Sequence, residues 1–174
     1  MIIILMETCM ETNLIIRGDC IKGMRKLPTD SVQVIVTSPP YNVQRNYKGY
    51  KDSLSWSAYY SWLLDVFEEA YRILNKNGLF FINISNSAKN QYKAFEVVRI
   101  LRTVGFNLID TVIWHKTIAM PCTSPSLLTN AYEFIFIFAK SLDYYFDKDS
   151  IKVPSKHSAS LKCRTNVWSF SPVI

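Results

Sequence analysis

The chain is poor in the residues that build metal centres and disulfide frameworks. Its four cysteines, Cys9, Cys20, Cys122 and Cys163, form no CxxC pair. With only two histidines, His115 and His157, no Cys/His spacing suits zinc. No metal site is expected, and the cysteines read as reduced, as in a cytoplasmic protein. Long apolar runs are missing too. Met1-Ile2-Ile3-Ile4-Leu5 is far too short to span a membrane and lacks the flanks of a signal peptide. No membrane partner is expected, and residues 1–12 read as a leader outside the fold, with Met6 and Met10 as alternative starts. There is no internal repeat and no low-complexity stretch. Glycine is scarce: there are five, and none forms GxG.

What remains is a globular composition. At 174 residues, 49% apolar and 20% charged, the chain can bury one domain-sized core and does not read as disordered. Aromatic residues reach 14%, which suits a dense core or a surface that stacks on flat ligands. The net charge of +6 permits a nucleic acid partner without establishing one.

Apolar periodicity alternates between strand and helix. Leu14-Ile15-Ile16-Arg17 reads as a buried strand closed by Gly18-Asp19, and a short helix follows from Cys20 to Leu27, ended by Pro28. Val32, Val34, Ile35 and Val36 form a β-branched strand that stops at two prolines. From Trp56 to Leu74, Trp62, Leu63, Val66, Phe67, Ala70, Ile73 and Leu74 recur at helical spacing before Asn75-Lys76-Asn77-Gly78, an expected helix stop. Leu79–Ile84, Leu108–Trp114 and Tyr132–Ala139 read as strands, with a helix from Ala88 to Val104 between the first two. This alternation predicts an α/β fold, a mostly parallel sheet with helices on both faces. Beyond Lys140 the periodicity fades into a basic tail.

The chemistry gathers at Ser38-Pro39-Pro40-Tyr41, directly after a predicted buried strand, where open α/β sheets place their ligands. Consecutive prolines have fixed φ and no N–H, so the turn is stiff and its carbonyls can face a ligand. A Ser hydroxyl and a Pro carbonyl are acceptors that could grip the two hydrogens of an exocyclic amino group, and Tyr41 offers a ring for stacking. The same tetrapeptide also makes a plain proline turn with a capping serine.

Thr37-Ser38-Pro39-Pro40-Tyr41-Asn42 resembles the motif of the amino-methyltransferases that act on N4 of cytosine or N6 of adenine in DNA. Further stretches match that family in order: Gly18-Asp19-Cys20 with Leu27-Pro28-Thr29-Asp30-Ser31-Val32, Arg72-Ile73-Leu74 with Asn77-Gly78, Trp114-His115-Lys116, and Tyr132-Glu133-Phe134 leading to Lys140. The likeness is to the permuted members, in which this motif comes early. It implies a Rossmann-like, S-adenosylmethionine-dependent methyltransferase fold over residues 13–140, with residues 141–174 part of a target-recognition region. It also implies a place in restriction–modification. The partner would be double-stranded DNA with its target base flipped out. Ser38, Pro39, Pro40 and Tyr41 would be catalytic. Ser38 and the Pro39 carbonyl would hold the amino group while Tyr41 stacks on the ring. Asp19, Thr37 and Asn42 would contact the cofactor, although Asp19 equally suits the N-cap of the helix at Cys20.

Ser rather than Asp at position 38 favours cytosine N4 over adenine N6 in that family and argues against protein glutamine methylation, whose enzymes favour Asn-Pro-Pro-Tyr. Glu133 reads as a structural partner for Lys116. In the tail, Lys140, Lys148, Lys152, Lys156, Lys162 and Arg164 against Asp143, Asp147 and Asp149 suit phosphate contacts, or simply a solvated face. The family's glycine-rich segment, which holds the methionine part of the cofactor, has no counterpart here. By the family's strand order it would supply two strands between the Leu14 and Val32 strands. A partner subunit bringing that segment is one expectation; a truncated frame and a non-catalytic DNA-binding subunit are the others.

Overall fold

The computed structural model describes residues 3–6, 13, 15–47, 50–155 and 160–172. Its main sheet has six strands: β1 (Ile3–Met6), β2 (Val32–Thr37), β5 (Leu74–Ile84), β6 (Asn107–Lys116), β7 (Tyr132–Ala139) and β10 (Val167–Phe170), in the order β1-β2-β5-β7-β6-β10. Two small ribbons, β3 (Asn46–Tyr47) with β4 (Tyr50–Lys51) and β8 (Val153–Pro154) with β9 (Leu161–Lys162), lie outside it. The helices are α1 (Cys20–Met24), α2 (Trp56–Ile73) and α3 (Lys93–Val104). β2 pairs parallel with β5, and β6 with β10, whereas β1–β2, β5–β7 and β6–β7 are antiparallel. Four strands therefore share one direction, and β1 and β7 oppose them. β7 reverses because it returns as a hairpin partner of β6 and inserts beside β5.

α2 begins at Ser55, whose hydroxyl accepts from the Ala58 N–H at 3.2 Å, as an N-cap should. Its buried side chains, Tyr59, Leu63, Val66, Phe67, Ala70 and Ile73, form one stripe. They pack with Met24 of α1, Ala94, Val97 and Leu101 of α3, and Ile35, Phe80, Ile82, Phe136 and Phe138 of the sheet. The expectation of helices on both faces is thus met on one face among the described residues. The reason is handedness: the β2-α2-β5 and β5-α3-β6 crossovers step the same way across the sheet, so right-handed connections leave both helices on one side. On the other face Val36 stands in register with Phe81, and Phe81 with Ile137, and Val36 is 45% exposed.

The family-like motifs have structural work. Arg72 donates to the Met24 and Leu27 carbonyls at 2.8 and 2.9 Å, satisfying the end of α1, and pairs with Glu69 at 3.0 Å. Lys140 reaches Asp30 at 2.5 Å and the Leu74 carbonyl at 3.0 Å, which pins the end of β7 to the α2–β5 junction. Gly105 closes α3 with φ +117°, a conformation that favours glycine.

Four expectations change. Ile15–Arg17 form no strand, and Ile15 is 97% exposed; Leu14 lies outside the described residues. The strand beside β2 on the side away from β5 is Ile3–Met6, drawn from the segment read as a leader. The segment read as a tail contributes β10, which extends the sheet beside β6. The expected stop at Asn75–Gly78 lies within β5, because α2 passes directly into the strand.

Gly78 sits where a Cβ would lie 2.7 Å from the Gln33 carbonyl oxygen and 2.8 Å from a Leu74 methyl. Backbone cannot yield as a flexible side chain does, so Gly78→Ala is expected to cost about 1–3 kcal/mol of stability. Denaturant unfolding would show this as a lowered midpoint; an unchanged midpoint would contradict the close β2–β5 approach.

Candidate active site

β2 ends at Thr37, and the backbone then enters the Ser38-Pro39-Pro40-Tyr41 turn. The prolines bring carbonyls but no donors, so donors must come from elsewhere. The buried Tyr59 hydroxyl on α2 donates to the Pro40 carbonyl at 2.7 Å. The Lys93 ammonium, from the first residue of α3, donates to the Tyr41 carbonyl at 3.0 Å. Among the described residues no donor reaches the Pro39 carbonyl. The turn leaves through Asn42 at φ +54°. There Asp52, itself only 2% exposed, accepts from the N–H groups of Asn42, Val43 and Arg45 at 2.8–3.0 Å. The Asn42 amide closes on Leu54, accepting from its N–H at 2.8 Å and donating to its carbonyl at 2.9 Å.

Above this base lies a side-chain network. The Tyr41 hydroxyl donates to Glu133 Oε2 at 2.7 Å and lies 3.1 Å from Asn83 Oδ1. With one proton to give, it serves the carboxylate, the stronger acceptor. That leaves its oxygen to accept from the Ser38 hydroxyl at 3.2 Å; Asn83 Oδ1 is 3.5 Å from the same hydroxyl. Asn83 Nδ2 donates to the Phe134 carbonyl at 3.1 Å, which fixes which way the amide points. Glu133 is completed by Lys116, whose Nζ lies 2.5 Å from Oε1. The expected Lys116–Glu133 pair thus forms, and it reaches Tyr41.

The titrations follow from this packing. Burial, and then the Glu133 carboxylate, push the Tyr41 phenol well above its ordinary range. Tyr41 is therefore a neutral hydrogen-bond donor at physiological pH and no base. Tyr59 is raised as well, chiefly by burial. Lys93, completely buried, is pulled down to about 8 by desolvation, against the opposing pull of Glu133 and Asp52.

Ser38, Pro39, Pro40 and Tyr41 therefore come together at the carboxyl ends of β2 and β5 and the start of β7. Ser38 is exposed and Pro39 buried. Thr37 stands at the end of β2, in register with Ile82. Asn42 uses both ends of its amide within the turn. Asp19 caps α1, its Oδ1 accepting from the Lys22 N–H at 2.9 Å. Among the described residues no group of acidic, cysteine or histidine side chains is placed to hold a metal, and no helix is long and apolar enough to cross a membrane. Sequence reading missed Asn83, Lys93, Tyr59 and Asp52. Two of these carried a signal. Asn83 is a lone polar residue in the apolar run Phe80–Ile84, and Lys93 falls on the i, i+4, i+7, i+8 stripe shared by Val97, Ile100 and Leu101.

Residues 32–173 match the DNA methylase family that covers N6 and N4 amino-methyltransferases. The chain is 31% identical over 172 residues to the type II methyltransferase M.SfiI of Streptomyces fimbriatus, covering 84% of this chain and 40% of that protein. Its fold is shared with the PvuII DNA methyltransferase (cytosine-N4-specific), with a TM-score of 0.64 at 20% identity, covering 90% of this chain and 56% of that one. It is shared also with a DNA modification methylase of Thermus thermophilus complexed with S-adenosyl-L-methionine, with a TM-score of 0.55 at 22% identity over 77% of this chain and 56% of that one. The chain belongs to the N6/N4 DNA methylase family, whose cofactor is S-adenosylmethionine. It spans about half the length of the curated relatives it matches. Of the residues set toward that cofactor by resemblance, Asp19 uses Oδ1 to cap α1, and the 174-residue sequence contains no GxG.

Glu133 is the joint of the network, since Lys116 and Tyr41 both depend on its carboxylate. Glu133→Ala leaves the half-buried Lys116 ammonium without its carboxylate and turns the Tyr41 hydroxyl to Asn83 Oδ1, and is expected to destabilise the chain by about 1–3 kcal/mol. Chemical denaturation measures this. A loss below about 0.5 kcal/mol, the range of exposed pairs, would show that the network carries no load.

Proposed function

We propose that this chain carries the target-amine site of a DNA methyltransferase acting on N4 of cytosine. The observation that supports it is the Pro39 carbonyl. Of the three carbonyls Pro39, Pro40 and Tyr41, it is the one without a donor among the described residues, and the exposed Ser38 hydroxyl is its neighbour in the chain. Two adjacent acceptors on a rigid turn suit the two hydrogens of an exocyclic amino group.

In this reading the target cytosine leaves the duplex, at a cost of about a few kcal/mol, and its ring stacks on Tyr41. The Pro39 carbonyl and Ser38 Oγ accept the N4 hydrogens, which draws the nitrogen toward pyramidal geometry and frees its lone pair from the ring. S-adenosylmethionine, when bound, supplies an electrophilic sulfonium methyl to that lone pair. The proton then lost from nitrogen passes by way of the exposed Ser38 hydroxyl to water. Tyr41 stays protonated, Asn83 is neutral, and Glu133 is occupied by Lys116 and Tyr41, so none of the three takes it. Asp19, with Thr37 and Asn42 beside the turn, is proposed to face the cofactor. The glycine-rich turn is proposed to come from a further segment, in a partner subunit or in additional sequence. Calorimetry should then show S-adenosylmethionine binding strengthened by that segment; equal binding without it would rule the proposal out.

Adenine N6 is the second reading, because the family spans both amines. Ser38 at the head of the turn favours cytosine, by resemblance. Mass analysis of methylated nucleosides separates the two, with N4-methylcytosine the expected product. In the same assay Ser38→Ala should lower kcat about 10- to 100-fold while DNA affinity changes less than about threefold, since the lost acceptor is needed most in the transition state. Undiminished turnover would remove Ser38 from the site.

A further inference from the structure

We propose that Lys93 is a positioning residue for the target base, its buried ammonium locking the Tyr41 main chain and covering one face of the Tyr41 ring so that the base stacks on the other. The inference deepens the reading of the proline turn as the target site and rests on it. Lys93 opens α3 and is 0% exposed. Its Nζ is 3.0 Å from the Tyr41 carbonyl oxygen and 4.7 Å from the centre of the Tyr41 ring. A single amine therefore holds the backbone and the ring of the residue assigned to stacking, while Glu133 holds the hydroxyl at the far end of that ring. Tyr41 is fixed at three points, and a stacking platform gains from being rigid before its ligand arrives.

Core filling does not account for a lysine at this position. Methionine would occupy the same space without the desolvation cost of a buried ammonium. What the ammonium adds is a charge-assisted hydrogen bond and a cation–π contact, both to Tyr41. The groups that face it are Tyr41 from the turn, Glu133 from β7 and Asp52 from the loop before α2, and both acidic side chains favour its charged form. Burial still brings it to about 8. Deprotonation above that value removes the cation from beneath the ring. The stacking geometry, and the rate that depends on it, should therefore be intact below about pH 8 and weaken as pH rises through it.

The test uses the full chain with 13C-labelled lysine and tyrosine. In the wild type, the Lys93 and Tyr41 ring signals should shift together with one midpoint near 8. In Lys93→Met the Tyr41 transition should vanish. In Lys93→Arg, whose cation does not titrate in this range, Tyr41 should be independent of pH while remaining ordered. Methyl transfer by Lys93→Met, measured beside Ser38→Ala on the same DNA and with the segment proposed to complete the cofactor site, should show kcat lowered about tenfold with KM for DNA nearly unchanged, and Lys93→Arg should recover part of it. Tyr41 signals indifferent to Lys93 overturn the inference without any activity measurement. If Lys93→Met methylates like the wild type while Ser38→Ala does not, Lys93 is structural only and the target-site reading survives. If both variants are fully active, that reading fails with it. Should Lys93→Met not fold, the wild-type titration and Lys93→Arg decide the question.

Discussion

Two prolines in succession at the end of a buried strand set the central problem of this structure. They bring carbonyls into the turn and no N–H groups of their own, and a buried carbonyl without a donor is costly. The fold answers with side chains from two helices that share one face of the sheet, Tyr59 from α2 for Pro40 and Lys93 from α3 for Tyr41. The Pro39 carbonyl, the first of the three, receives no donor among the described residues, and in the proposed reading that opening is what turns a structural solution into a site. The order of the elements follows from this need: β2 delivers the turn, the crossover through α2 returns Tyr59 beneath it, and the crossover through α3 brings Lys93.

The antiparallel strand β7 serves the same end from the other side. Because it runs against β5, its first residues lie beside the carboxyl end of β5, which sets Glu133 next to Tyr41 and Phe134 next to Asn83. A parallel strand in that place would have put its carboxyl end there instead. The Lys116–Glu133–Tyr41 chain thus depends on the reversal of one strand, and the Trp-His-Lys stretch that ends β6 supplies the lysine.

What was legible in the sequence was whatever repeats within one element. The α2 stripe, the β2 run and β7 follow from periods of 3.6 or from β-branched runs, and the proline turn follows from its composition. Strand identity at the sheet edges was not legible, because a strand is defined by its partner. Ile15-Ile16 has the right residues and no neighbour, whereas Ile3–Met6 and Val167–Phe170 have neighbours that only the fold brings to them. The candidate site divides in the same way. Ser38 to Tyr41 are contiguous and could be read directly; Asn83, Lys93 and Glu133 come from distant elements and gain their roles through packing. Lys93 on an apolar stripe and Asn83 in an apolar strand were visible as anomalies, but an anomaly does not name its partner.

The central claim is that Tyr59 and Lys93 hold the Pro40 and Tyr41 carbonyls, and that the turn offers Pro39 and Ser38 to an amino group. The most direct measurement is a crystal structure of the chain, with whatever segment completes the family's cofactor site, bound to duplex DNA bearing one extrahelical cytosine. The account predicts N4 within hydrogen-bond distance, about 2.7–3.2 Å, of both the Pro39 carbonyl oxygen and Ser38 Oγ, with the cytosine ring against the Tyr41 face opposite Lys93. A cytosine held elsewhere, or a Pro39 carbonyl bonded to the protein in that complex, would contradict it.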